Sequence, residues 1–70
     1  MDNKKIGKKL QELRHKGGYK QEQLAYVLCI SRSGYSQYET GIRTLSPDKL
    51  IALADFYGIT VDQILEHNVD

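Results

Sequence analysis

The apolar residues of this 70-residue chain recur at helical spacing from end to end, and no apolar-polar alternation runs long enough to propose a strand. Ile6, Leu10 and Leu13 share one stripe, stopped by the segment KGGY, where Gly17 or Gly18 can take the left-handed conformation that closes a helix. A second helix of about Gln21 to Leu28 turns Leu24, Ala25 and Leu28 inward. Ser31 is placed to cap a third, because its hydroxyl can accept from an otherwise unpaired backbone N–H, and Gly41 marks that helix's end. SPDK supplies a cap at Ser46 and a proline at the first helical position of a fourth helix, which carries Leu50, Ile51, Leu53, Ala54 and Tyr57 and stops at Gly58. Thr60 and Gln63 have capping-box spacing and open a short fifth helix that turns Val61, Ile64 and Leu65 inward. Five helices joined by short links predict one all-α domain over residues 6–66, without linker or repeat. A chain of this length buries only about 60% of its unfolded surface, so one core is the ceiling.

The third helix decides the function class. At 100° per residue, Arg32, Ser33, Ser36, Gln37 and Thr40 fall within one arc of about 140°, with Gly34, Tyr35 and Tyr38 opposite. A merely solvated face usually carries long Lys and Glu side chains. This one carries short hydroxyls, one guanidinium fork and one amide. Arg matches guanine O6/N7 with two bonds, Gln matches adenine N6/N7, and Ser pairs with either. The segment KQEQLAYVLCISRSGYSQYETG adds a short helix and a tight turn ahead of this face, the layout of a helix-turn-helix over about residues 21–40.

Charge changes the picture only when the chain is divided. The net charge is +1. Residues 1–43 hold nine Lys/Arg against four Asp/Glu, a balance of +5, whereas residues 44–70 hold one Lys against five acids, a balance of −4. Such a dipolar chain can present its basic part to a polyanion.

From IGKKLQELR through YKQEQLAYVLCISRSGYSQYETG to LIALADFYGITVDQIL, the chain resembles the lambda repressor/Cro family of DNA-binding domains, also called the XRE-type helix-turn-helix. The resemblance implies a five-helix fold whose second and third helices form the DNA-reading unit. Carried over position by position, it implies that Arg32, Ser33, Ser36 and Gln37 read bases. Lys20, Gln21, Ser31, Thr40 and Arg43 would touch the DNA backbone, and Arg14 and Glu39 would form a largely buried ion pair between the first helix and the end of the third. It further implies a sequence-specific regulator of transcription, a repressor, bound as a homodimer to a palindromic double-stranded operator. No cofactor, metal or small-molecule ligand is expected, nor any enzymatic activity, and the setting would be the cytoplasm of a bacterium, at the nucleoid, with a bacterial or phage gene. Ile51, Phe56 and Val69 lie off the main apolar stripes and offer a dimer interface on the fourth and fifth helices.

Three positions depart from the family's pattern. Cys29 stands where the turn usually has Gly, so its backbone must avoid positive φ or accept strain. Lys20 replaces the usual Ser or Thr cap of the second helix, and Gly34 weakens the reading helix by about 1 kcal/mol relative to Ala.

Rival chemistry finds less support. Cys29 with His15 or His67 lacks metal-ligand spacing and an orienting third group. Five tyrosines could stack single-stranded bases, but Tyr35, Tyr38 and Tyr57 fall on inward arcs and only Tyr26 clearly points out. An antitoxin, or a protein-interaction module that borrows the same fold for a protein partner, is the alternative. A lone cysteine gives no internal disulfide, no apolar run approaches the roughly 18 residues of a membrane span, and the start MDNKKIGKKL lacks the apolar region of a secretory signal. These features point to a reducing, intracellular setting.

Overall fold

The computed structural model describes residues 2–65, which form α1 (Asn3–Gly17), α2 (Gln21–Val27), α3 (Arg32–Thr40), α4 (Pro47–Tyr57) and α5 (Val61–Leu65), with no strand among the described residues. Each start has a local cause. The Asp2 carboxylate accepts from the N–H groups of Lys4 and Lys5 at the head of α1. Ser31 caps α3, and Ser46 caps α4 ahead of Pro47. Thr60 and Gln63 form the reciprocal capping box of α5, Gln63 N–H to Thr60 Oγ1 at 3.1 Å and Thr60 N–H to Gln63 Oε1 at 2.8 Å. Gly18, Gly41 and Gly58 end α1, α3 and α4 in the left-handed conformation.

The second helix is one residue shorter than the apolar pattern suggests, ending at Val27 with Leu28 as its cap. Cys29 resolves the alternative that the turn posed: it takes φ 58°, the left-handed region that favours glycine, and is the one non-glycine residue to do so among the described residues. Lys20 gives α2 no side-chain cap, but Gln23 Oε1 accepts the Lys20 N–H at 2.8 Å and the Gln23 N–H bonds the Lys20 carbonyl at 3.0 Å.

Leu10, Leu24, Tyr35, Leu53 and Ile64 are the largest fully buried side chains, one from each helix. No helix can therefore leave without opening the centre of the core, and truncating any of these to Ala costs about 2–5 kcal/mol. Tyr19, in the link between α1 and α2, meets Phe56 and Tyr57 edge-on, with ring centroids 5.0 and 6.2 Å away, and so ties that link to the end of α4. The hydroxyl of Tyr57 is buried without a hydrogen-bond partner among the described residues, and burial pushes it up to about 12.

Candidate nucleic-acid interface

Helix α3 is set by its two ends. The Ser31 hydroxyl accepts the Gly34 N–H at 3.1 Å, and the left-handed Gly41 (φ 82°) closes the helix after Thr40. Between them, Gly34, Tyr35, Tyr38 and Glu39 are buried, while Arg32, Ser33, Gln37 and Thr40 are exposed and Ser36 is half-buried. The polar arc seen in the sequence thus lies on the outer face, and the tyrosines root it in the core.

The first end of that face is tied to α2. Arg32 Nη1 donates to Gln21 Oε1 at 3.3 Å, and Gln21 Nε2 donates in turn to Glu39 Oε1 at 3.1 Å. The Gln21 side chain therefore bridges the exposed Arg32 to a buried carboxylate. Arg14, Tyr19, Lys20, Gln21, Glu22 and Arg32 line an open recess of about 450 Å³ at this corner. Three of those residues, Lys20, Gln21 and Arg32, are ones the sequence singled out for DNA.

The other end carries Thr40 and Arg43. The Thr40 hydroxyl donates to the Gln37 carbonyl at 3.3 Å, and the Arg43 guanidinium lies 5.7 Å from the centre of the Tyr38 ring. The N–H groups of Ile42 and Arg43 also bond the Gln37 carbonyl, at 3.0 and 3.2 Å, which fixes the turn leaving α3. Ser31, at the N-cap, sits beside Ser33 with their hydroxyl oxygens 3.4 Å apart.

Arg14 and Glu39 stand behind this face. Arg14 Nε and Nη2 donate to the two carboxylate oxygens at 2.7 and 3.0 Å, and Arg14 Nη1 also reaches the Tyr19 carbonyl at 3.2 Å. Glu39 is 4% exposed. Burial pushes its carboxyl up, but hydrogen bonds from Arg14, Tyr35 and Gln21 outweigh this and hold it below its ordinary value.

One exposed residue escaped the sequence reading. Ile42 is 75% exposed between the Gly41 cap and Arg43. Its signal was an apolar side chain within an otherwise polar turn. No group of three or more His, Cys, Asp or Glu that could hold a metal occurs among the described residues, and no helix among them is long and apolar enough to cross a membrane. His67 and Val69 lie outside the described residues.

A helix-turn-helix family model matches residues 10–64. The chain belongs to the helix-turn-helix family, in its lambda repressor-like (XRE) branch. Its helix-turn-helix relatives include the transcriptional regulator ImmR of Bacillus subtilis, 37% identical over 60 residues, which covers 86% of this chain and 47% of ImmR. The transcriptional activator BcrR of Enterococcus faecalis is 35% identical over 60 residues, covering 86% of this chain and 29% of BcrR. The regulator AnsR of Bacillus subtilis is 39% identical over 57 residues, covering 81% of this chain and 49% of AnsR. The chain thus spans about half or less of the length of these three relatives. These helix-turn-helix relatives are transcriptional regulators, not enzymes. In fold, the chain is similar to the crystal structure of the clp gene regulator ClgR from C. glutamicum, with a TM-score of 0.83 at 23% identity, over 94% of this chain and 86% of that one.

Proposed function

We propose that this helix-turn-helix domain is a sequence-specific, double-stranded DNA-binding regulator of transcription that lays α3 in the major groove. The observation that carries the reading is the exposed row Arg32, Ser33 and Gln37, with Ser36 at its edge, standing on a back of buried tyrosines. Base edges demand donors and acceptors held at fixed positions. A helix anchored through Tyr35 and Tyr38 and capped at both ends supplies that rigidity.

In this reading Arg32, Ser33, Ser36 and Gln37 contact base edges, and Lys20, Gln21, Ser31, Thr40 and Arg43 contact phosphates on either side. Lys20 and Arg32 on the open recess, which Glu22 also lines, support a phosphate contact at that corner. One reading helix covers only a few base pairs. We therefore assign a homodimer on a palindromic operator, its two reading helices about 34 Å apart along the duplex. Bound across a promoter, such a dimer represses by occupying the site polymerase needs. Its place of action is the bacterial cytoplasm, at the nucleoid.

Selection of bound fragments from random duplex DNA tests the proposal. The expected result is enrichment of an inverted repeat with half-sites one helical turn apart, retained at 150 mM salt, and lowered run-off transcription when that repeat overlaps a promoter. Binding without any enriched sequence, lost uniformly as salt rises, would remove the base-reading role.

A further inference from the structure

We propose that Gly7 is a positioning residue for the reading helix: the side chain it lacks lets α1 set the tilt at which the C-terminal end of α3 meets DNA. This deepens the function proposed above and rests on it. A Cβ on Gly7 would lie 2.6 Å from the Tyr38 carbonyl oxygen, 2.7 Å from the Glu39 carbonyl carbon and nearer still to the Glu39 carbonyl oxygen. Those atoms belong to helical backbone, which cannot swing aside as a flexible side chain can. Only a displacement of one helix from the other would make room.

The same side of α1 grips that end at several further points. Gln11 Nε2 donates to the Glu39 carbonyl at 3.4 Å, Arg14 holds the Glu39 carboxylate, and a Cβ on Gly41 would fall 3.0 Å from Lys4 Cα. Asn3 Nδ2 donates to Thr44 Oγ1 at 2.8 Å, just beyond the turn. Gly7, Gln11 and Arg14 are spaced four and three residues apart, one row along a helix. The start of α3 is held by the Arg32–Gln21 bond to α2, whose Gln21 amide also reaches the Glu39 carboxylate, while the backbone contact at Gly7 falls on the C-terminal end alone.

A shift at Gly7 therefore moves one end of the reading helix about the other. Gln37 would be displaced while Arg32, five residues or about 7.5 Å up the axis, stays with Gln21. Base-edge hydrogen bonds from a short amide tolerate little displacement, whereas a long Lys or Arg follows a phosphate. Discrimination between sequences should fall before general affinity for DNA does.

The test is Gly7→Ala, shown by circular dichroism to be folded at the assay temperature, titrated with the selected operator and with an unrelated duplex at one salt concentration. The expected result is an operator affinity lowered about 10-fold or more, with the unrelated duplex changed less than about 2-fold. The lost preference should map to the bases read by Gln37 rather than to those read by Arg32. Should Gly7→Ala fail to fold, Gln11→Leu decides, because it removes the amide from the Glu39 carbonyl without adding bulk against backbone; the same change in ratio is expected at smaller size. Folded variants that keep the wild-type ratio of operator to unrelated binding would overturn the proposal. Wild-type protein without any operator preference would instead overturn the base-reading role, so the two failures are distinct.

Discussion

Glu39 receives Arg14 as a two-bonded fork, Nε to Oε2 at 2.7 Å and Nη2 to Oε1 at 3.0 Å, joining the middle of α1 to the last turn of α3. A buried pair of this kind adds little over a well-packed apolar pair, but removing one partner strands the other charge. Glu39→Ala should accordingly lower the free energy of unfolding by about 3 kcal/mol or more in urea at pH 7. A loss under roughly 0.5 kcal/mol would equal that of an exposed pair and contradict the burial. The pH dependence has a definite sign. The folded carboxyl titrates below its ordinary value of 4.5, so its stabilisation is fully present above that pH and is lost as pH falls through the folded value. Glu39→Gln should therefore show a flatter decline than wild type when unfolding is followed from pH 5 down to pH 3.

Cys29 carries a cost that glycine would not. Its φ of 58° places a Cβ where left-handed backbone crowds it, at about 1 kcal/mol or somewhat more. Cys29→Gly should raise stability by roughly that amount, partly offset by the larger entropy of the unfolded glycine chain. Thermal unfolding measures it. A lower melting temperature would show that the exposed thiol side chain contributes packing that its position does not suggest.

The starts of α3, α4 and α5 were legible because each begins with a side chain that has one local task, whereas α2 has no such cap at Lys20. Ser31, Ser46 and the Thr60–Gln63 pair announce their caps within four residues, and Leu10, Leu24, Leu53 and Ile64 follow the helical period. The exposed arc of α3 was legible for the same reason, since a single rotation of 100° per residue fixes it. Apart from the Arg14–Glu39 pair, which the family resemblance implied, relations between helices were not disclosed by the sequence. Gly7 sits inside an otherwise ordinary helical stripe, and a lone helical glycine signals close approach without saying to what. The two hydrogen bonds of the Gln21 side chain, to Glu39 and from Arg32, depend on how α2 crosses α3, which no spacing along one helix encodes. Ile42 was passed over because it follows the periodic segment rather than belonging to it.

The two classes of DNA contact should separate by mutation. Arg32→Ala and Gln37→Ala should each cost about 1–3 kcal/mol on the selected operator and relax the preference at the bases they face. Arg43→Ala should instead weaken binding to every duplex alike and reduce the slope of log affinity against log salt by about one. Competition titrations at several salt concentrations give both quantities. Unchanged selectivity in both front-face variants would withdraw the assignment of α3 as the reading helix.

The proposed homodimer predicts a further separation, between assembly and folding. On α4, Ile51 is 53% exposed and Phe56 37%, both outside the core that Leu50, Leu53 and Ala54 enter. Phe56 also packs against Tyr19 and Tyr57, so replacing it would disturb the fold. Ile51 is exposed and outside that ring cluster, and a charge there should leave the monomer's stability within about 0.5 kcal/mol. Ile51→Glu should nonetheless impair pairing, because it sets two like charges near each other across a twofold contact. Since the second half-site then binds without the benefit of linkage, affinity for the palindrome should fall about 100-fold while affinity for an isolated half-site is kept. Sedimentation on and off DNA reads the assembly directly. Wild-type protein that stays monomeric at high concentration and on the palindrome would remove the dimer, and an Ile51→Glu variant that still pairs would move the interface away from this face of α4.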